Sequence, residues 1–298
     1  MDALRFVPLR DAFGAEVLHL DLHMTPDEQT VSEIDRAMAT YGVLVIRGQS
    51  VSEDEHIAFA RAFGDLDMGL SPVLGQARAG RLKYREFADV SNVDESGNAA
   101  ATENRRVVAH FANQLWHSDS SYLQPSARYS MLQAVSVTSR GGNTEYADMR
   151  AAYDALDDDM KAYLADKVVE HDALHSRFAL GDDDYTPEQR AAMAPVRWPL
   201  VRTHPLSGRK SLFIGAHASR VLGMPTPEGR VLLLDLLEHA TQPRFTYSHR
   251  WSVGDFVIWD NRSVLHRGRP YDFSERRELR RTTNQGKSED YTGFAVPA

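Results

Sequence analysis

From Ala127 onward the chain is a succession of short strand-like segments, RYSMLQAVSVTS, PLVRTHP, SLFIGAH, FTYSHRW and DFVIWDN, separated by Gly, Pro, Asn and Asp. Short β-branched and aromatic runs bounded by turn residues close on one another most simply as antiparallel strands. Helical patterning is confined to blocks. In PDEQTVSEIDRAMATYG, Val31, Ile34, Met38 and Tyr41 share a face before Gly42, a natural C-cap residue. In SEDEHIAFARAFG, Ser52 and Glu55 form a capping-box pattern, and the run VLVIRGQ between these blocks suits a buried strand. The second half of NTEYADMRAAYDALDDDMKAYLADKVV is again helical. The opening residues 1–65 therefore read as helix, strand, helix. The whole pattern predicts a mainly β chain of the α+β class, an antiparallel sandwich or barrel with helices packed outside it.

At 298 residues, with no internal repeat and no linker, one domain over 1–298 is the simplest organisation. Residues 66–112 are rich in Gly, Ala, Asn and charge, with strand-like pieces such as LKYREFADVSNV. They read either as a lid or substrate-binding insertion or as a surface excursion. A net charge of −8 argues against nucleic acid or an anionic membrane surface as partner, because both need a positive field. A small molecule fits better. The N-terminal stretch MDALRFVPLRDAFGAEV lacks a continuous apolar core, and no window approaches the ~18 apolar residues of a membrane span, so the cytoplasm is the expected location. No strand is followed by GxGxxG, which leaves a dinucleotide fold unsupported. The chain has no cysteine, so any bound metal must be held by nitrogen and oxygen.

Twelve histidines supply candidates, and NQLWHSDSSY contains the most informative of them. On a strand, His117 and Asp119 would point to one face and could reach one ion, with Trp116 and Tyr122 as walls against water. The same residues also suit a turn in which Asp119 caps the amides of Ser120 and Ser121. His266, in WDNRSVLHRGRPYD, is a candidate third ligand. Two histidines and one carboxylate with open positions beside them suit non-haem Fe(II) oxygen chemistry. The basic run FSERRELRRTTN reads as a solvated helix face or a phosphate patch; read instead as a strand, it sets Arg277, Leu279 and Arg281 on one face, and two guanidiniums could then clamp carboxylated guests near the metal. A rival is His171-Asp-Ala-Leu-His175, an i, i+4 pair on an expected helix that would suit a zinc hydrolase, although Asp172 stands where a general-base Glu belongs. His204, His217 and His249 lie on strand-like segments, either lining a pocket or satisfied as ordinary polar residues. A non-catalytic jelly-roll binding protein is the third reading.

With these motifs in place, the sequence resembles the taurine/2,4-dichlorophenoxyacetate dioxygenase family of Fe(II)- and 2-oxoglutarate-dependent enzymes. WHSDSSY, GGNTEYADMRAAYDAL, WDNRSVLHRGRPYD and the arginines after it carry the likeness over residues 116–281, and VLVIRGQ and HIAFARAFG extend it toward the N-terminus. The likeness is strongest to members acting on aryloxyacetates. The resemblance implies a double-stranded β-helix (jelly roll) with His117, Asp119 and His266 as iron ligands. It implies that Thr144 and Arg277 hold the distal carboxylate of 2-oxoglutarate, and that Arg281, Asn113 and, more weakly, Lys83 lie on the substrate side. The implied reaction uses Fe(II), 2-oxoglutarate and O2. It hydroxylates the carbon next to the ether oxygen of an aryloxyalkanoate such as 2,4-dichlorophenoxyacetate, giving a phenol, glyoxylate, succinate and CO2. Another carboxylate or a sulfonate is the alternative substrate, and a homo-oligomer is in keeping with the family.

Overall fold

The computed structural model describes residues 3–70, 72–73, 81–94, 96–99 and 111–287. Its central strand, Phe256–Asp260, is buried at every position because both of its faces are covered. Phe256 and Ile258 pack outward against Ile34 and Met38 of the helix Glu28–Tyr41 and Phe59 of the helix Glu53–Arg61. Val257 and Trp259 point inward with Val43, Val45, Leu132, Tyr146 and Val264. Period-two alternation between two apolar layers explains the unbroken run FVIWD.

That strand belongs to a seven-stranded sheet in the order Arg5–Arg10, Phe13–Leu18, Val43–Ile46, Phe256–Asp260, Ala127–Ser136, Glu278–Gln285, Ala88–Ser91. A three-stranded sheet, Thr246–His249, Thr144–Asp148 and Val264–Gly268, supplies Tyr146 and Val264 to the same inner cluster. The two sheets face each other across this interior as a jelly roll, with the pairs inside the smaller sheet all antiparallel. A further core, with Trp198, Phe213 and Leu236, packs helices and short strands behind the smaller sheet.

The expected helices form with the expected caps. Asp27 accepts from the Thr30 amide, Gly42 adopts φ 71°, and Ser52 and Glu55 close a capping box. Two elements fall outside the sequence pattern. The hairpin Arg5–Arg10 with Phe13–Leu18 precedes the first helix, so the opening segment is not simply helix, strand, helix. Pro8 and two arginines blur the alternation of its first strand, which lies at the sheet edge where such residues are tolerated. The helix Thr226–Ala240 has apolar residues on several sides, so its period is weak, yet it buries Leu233 and Leu236. Of the expected lid or surface excursion over 66–112, residues 71, 74–80, 95 and 100–110 lie outside the described residues; within the rest, Ala88–Ser91 pairs with the strand that carries Arg281. Among the described residues no helix is long and apolar enough to cross a membrane.

The last strand is tied to its surroundings by Glu278, which is fully buried and accepts from Arg276, Arg280 and Arg81 at 2.8, 2.9 and 2.7 Å. Burial alone would raise its pKa, but the three guanidiniums overcome that effect and hold it at about 2, below the ordinary 4.5. The stability this supplies is complete above pH 4.5 and disappears as pH falls through 2. Glu278→Gln is expected to lower unfolding free energy at pH 7 by on the order of 3 kcal/mol. Urea midpoints of the two proteins should converge as pH drops from 5 toward 2, and a gap independent of pH would contradict this account.

Candidate metal centre

His117 and His266 stand opposite each other in an antiparallel bridge and exchange both backbone hydrogen bonds, at 3.0 and 2.9 Å. Opposite residues of such a pair send their side chains to the same face, which brings the rings to 4.2 Å between centroids. Asp119 lies in the turn that follows. Its carboxylate comes within 3.8 Å of His117 Nε2 and 3.7 Å of His266 Nε2. All three residues are buried, and they are the one His, Asp and Glu cluster among the described residues that could hold a metal.

The turn is held from behind. Asn261, just after the central strand, accepts from the Asp119 amide at 3.0 Å and donates to Ser130 Oγ at 3.0 Å. Ser130 in turn donates to Asp119 Oδ2 at 2.7 Å, and Trp259 Nε1 donates to Asn261 Oδ1. Ser120, at φ 48°, reverses the chain immediately after Asp119. Asp119 does lie in a turn, but its carboxylate bonds Ser130 and Arg281 rather than capping the next amides. Neither Ser130 nor Asn261 carries a sequence signal beyond being polar beside an apolar strand.

The charge states suit a metal of the non-haem iron type. His117 Nδ1 donates to the Leu115 carbonyl at 2.7 Å, which leaves Nε2 as the acceptor facing Asp119. Burial pushes both imidazoles down in pKa, so they are neutral. Burial opposes ionisation of Asp119 as well, but the Arg281 guanidinium, helped by the Ser130 hydroxyl, overcomes it and holds the carboxyl well below the usual range. Two neutral imidazoles and one carboxylate are the donor set that non-haem Fe(II) takes. His266 Nδ1 is buried and has no hydrogen-bond partner among the described residues.

A small cavity of about 50 Å³ adjoins this cluster and gathers Asn113, Thr144, Arg277 and Arg281 with His117 and His266. Leu132, Trp259, Tyr271 and Phe273 add apolar and aromatic wall. Arg277 is buried, donates to the Gly142 carbonyl at 2.9 Å, and has the Tyr271 ring 4.9 Å from its guanidinium carbon. No carboxylate pairs with it among the described residues, and burial pushes its pKa down. Arg281 Nη1 donates to Asp119 Oδ1 at 2.6 Å, while its Nε is buried with no partner among the described residues.

Other expectations change. Lys83 is exposed and donates to Asp54 at 2.8 Å, outside the cavity, so it is not brought to the site. Trp116 is packed in the core, beneath the Arg267 guanidinium, rather than forming a cavity wall. His171 ends a strand and bonds Ser121 and the Phe213 carbonyl, whereas His175 lies on the following helix Ala173–Phe178, so the pair never shares one helix. The zinc reading fails there. His204 and His249 are satisfied by Asp260 and Asp255 in the core. His217 differs: its ring meets Tyr122 at 4.8 Å and His117 at 6.0 Å, so it and Tyr122 border the cluster.

The sequence profile described as "Taurine catabolism dioxygenase TauD, TfdA family" matches residues 5–283. This chain belongs to that family. It is accordingly a 2-oxoglutarate-dependent dioxygenase, an oxidoreductase that takes Fe(II), 2-oxoglutarate and O2. An alpha-ketoglutarate-dependent 2,4-dichlorophenoxyacetate dioxygenase of Cupriavidus pinatubonensis is 59% identical, over 93% of this chain and 96% of its own. An (S)-phenoxypropionate/alpha-ketoglutarate-dioxygenase of Sphingobium herbicidovorans is 34% identical, over 98% and 99%. The crystal structure of AAD-2 in complex with Mn(II) and N-oxalylglycine superposes with a TM-score of 0.89 at 41% identity, over 98% of this chain and 100% of that one. Within this dioxygenase, then, the cavity joins the buried cluster to three arginines of contrasting status: Arg281 paired with Asp119, Arg269 with Glu145, and Arg277 with no acid among the described residues.

Proposed function

We propose that the enzyme hydroxylates the carbon next to the ether oxygen of aryloxyalkanoates such as 2,4-dichlorophenoxyacetate. The observation that carries this reading is the cavity beside the His117, Asp119 and His266 cluster, lined by the two histidines together with Arg269, Arg277, Arg281 and an aromatic wall. The names of its relatives support the same substrate class. His117, Asp119 and His266 would hold Fe(II), which couples oxidative decarboxylation of 2-oxoglutarate, to succinate and CO2, to insertion of one oxygen atom into a substrate C–H bond.

The chain's own work is binding and orientation. Arg277 presents a guanidinium that pairs with no acid among the described residues, the natural anchor for the distal carboxylate of 2-oxoglutarate. Thr144 Oγ1 accepts from Trp251 Nε1 at 3.0 Å, which leaves its hydroxyl proton free to donate to the same carboxylate. Arg281 is fixed on Asp119 by one nitrogen, and its unpartnered Nε can meet the substrate carboxylate, with Asn113 beside it at the cavity wall. Clamped by its carboxylate, an aryloxyacetate would turn the CH2 between carboxylate and ether oxygen toward the metal cluster. The hydroxylated product is a hemiacetal, which collapses to a phenol and glyoxylate without further help from the protein.

The decisive assay couples O2 consumption to product analysis across aryloxyacetates, 2-aryloxypropionates, cinnamates and sulfonates. Phenol, glyoxylate and succinate in equal amounts from aryloxyacetates are expected. Turnover of a sulfonate, with no phenol from any aryloxyacetate, would reject the substrate while leaving the enzyme class intact. A second check concerns Gly142, whose φ of +68° and lack of a Cβ both serve Arg277: an added Cβ would lie 2.9 Å from Arg277 Nε. Gly142→Ala is expected to raise the KM for 2-oxoglutarate roughly tenfold by displacing the guanidinium. An unchanged KM would show that Arg277 does not depend on this close approach.

A further inference from the structure

Behind Arg277 lies a second cavity that the chemistry above leaves unused. Its volume is about 660 Å³, against about 50 Å³ for the inner one. Arg269 and Arg277 line both cavities, so arginine side chains form part of the wall between them. The outer cavity also carries Arg140 and Arg250, both exposed, and among the described residues neither has a carboxylate partner. Among the described residues its one acidic lining residue, Glu145, is taken by Arg267 at 2.8 Å and Arg269 at 3.6 Å. A concentrated positive field in a chain of net charge −8 is a local feature that draws small anions, and a dianion more strongly than a monoanion.

We propose that this outer cavity is the route by which the dicarboxylate cosubstrate enters and succinate leaves, separate from the way taken by the aryl substrate. The inference rests on the assignment of Arg277 to the distal carboxylate of 2-oxoglutarate. That carboxylate is the end of the cosubstrate nearest the outer cavity, and succinate keeps it. Arg140 and Arg250 attract the dianion, and the Arg277 side chain, held to the wall by the Gly142 carbonyl, is the group that must move to let it pass. An aryloxyacetate carries one charge and a large apolar ring, and so gains less from four arginines. Succinate could then depart without displacing the hydroxylated product.

The test follows anaerobic association of 2-oxoglutarate with the Fe(II)-loaded protein by stopped-flow absorption, and association of an aryloxyacetate in parallel. In the double variant Arg140→Gln/Arg250→Gln, the rate for 2-oxoglutarate is expected to fall about tenfold and to lose most of its ionic-strength dependence. The aryloxyacetate rate and kcat at saturating 2-oxoglutarate should not change. Asn143→Trp, which narrows the outer cavity without altering its charge, should also slow 2-oxoglutarate, with the salt dependence retained. Unchanged 2-oxoglutarate association in either protein would overturn the proposal, as would equal slowing of both ligands. Failure of the wild-type protein to form any 2-oxoglutarate complex would instead overturn the underlying assignment of Arg277, and the route with it.

Discussion

Arg277→Met is expected to weaken 2-oxoglutarate binding by about 100-fold, roughly 3 kcal/mol, while leaving the metal-free protein at least as stable as wild type. The two halves of this expectation have one cause. Arg277 is a buried cation with no carboxylate partner among the described residues, and its visible compensation is a hydrogen bond to Gly142 and contact with the Tyr271 ring. Desolvation therefore counts against it in the free protein and is recovered only when an anionic guest arrives. Methionine keeps most of the length and removes the charge, so the empty site should relax while the occupied one loses its anchor. Anaerobic titration of the Fe(II) protein measures the first effect, and thermal melts of the metal-free protein measure the second. A destabilised variant that bound 2-oxoglutarate normally would show that Arg277 is a structural residue.

Asp119→Ala is expected to abolish turnover, by ~10³-fold or more, equivalent to over 4 kcal/mol. Asp119 supplies the cluster's one negative charge, and without it two neutral imidazoles and the Arg281 cation remain around the metal position. Divalent metal affinity, read by Mn(II) titration in the absence of substrate, should fall with activity. Fold stability should drop too, by about 3 kcal/mol, because Arg281 and Ser130 lose their shared partner. Metal affinity and turnover within tenfold of wild type would remove Asp119 from the ligand set.

Much of the site was legible in the sequence because its chemistry depends on residue type. His117, Asp119 and His266 offer the nitrogen and oxygen donors a cysteine-free chain must use, and the alternation Arg277, Leu279, Arg281 suggested two guanidiniums on one face; the strand in fact begins at Glu278, yet Arg277 just before it lines the same cavity as Arg281. Lys83 and Trp116 show the limit. A lysine in a strand-like stretch and an aromatic beside a ligand look equally functional, but one finds Asp54 at the surface and the other a hydrophobic core. The His171 and His175 spacing failed for a related reason, since a strand ends at the first and a helix begins before the second.

By itself the sequence determined the class of structure, many short strands with helices in blocks, and the kinds of atom available to bind a metal and an acid. These follow from local periodicity and from functional groups, which need no knowledge of neighbours. The tertiary structure decided which groups meet. The bridge that sets His117 against His266, the Asn261 and Ser130 support for Asp119, and the different states of Arg277 and Arg281 all join residues far apart in the chain. Charge state and ligand competence depend on burial and on partners at a few ångströms, and only the closing of the two sheets brings those about.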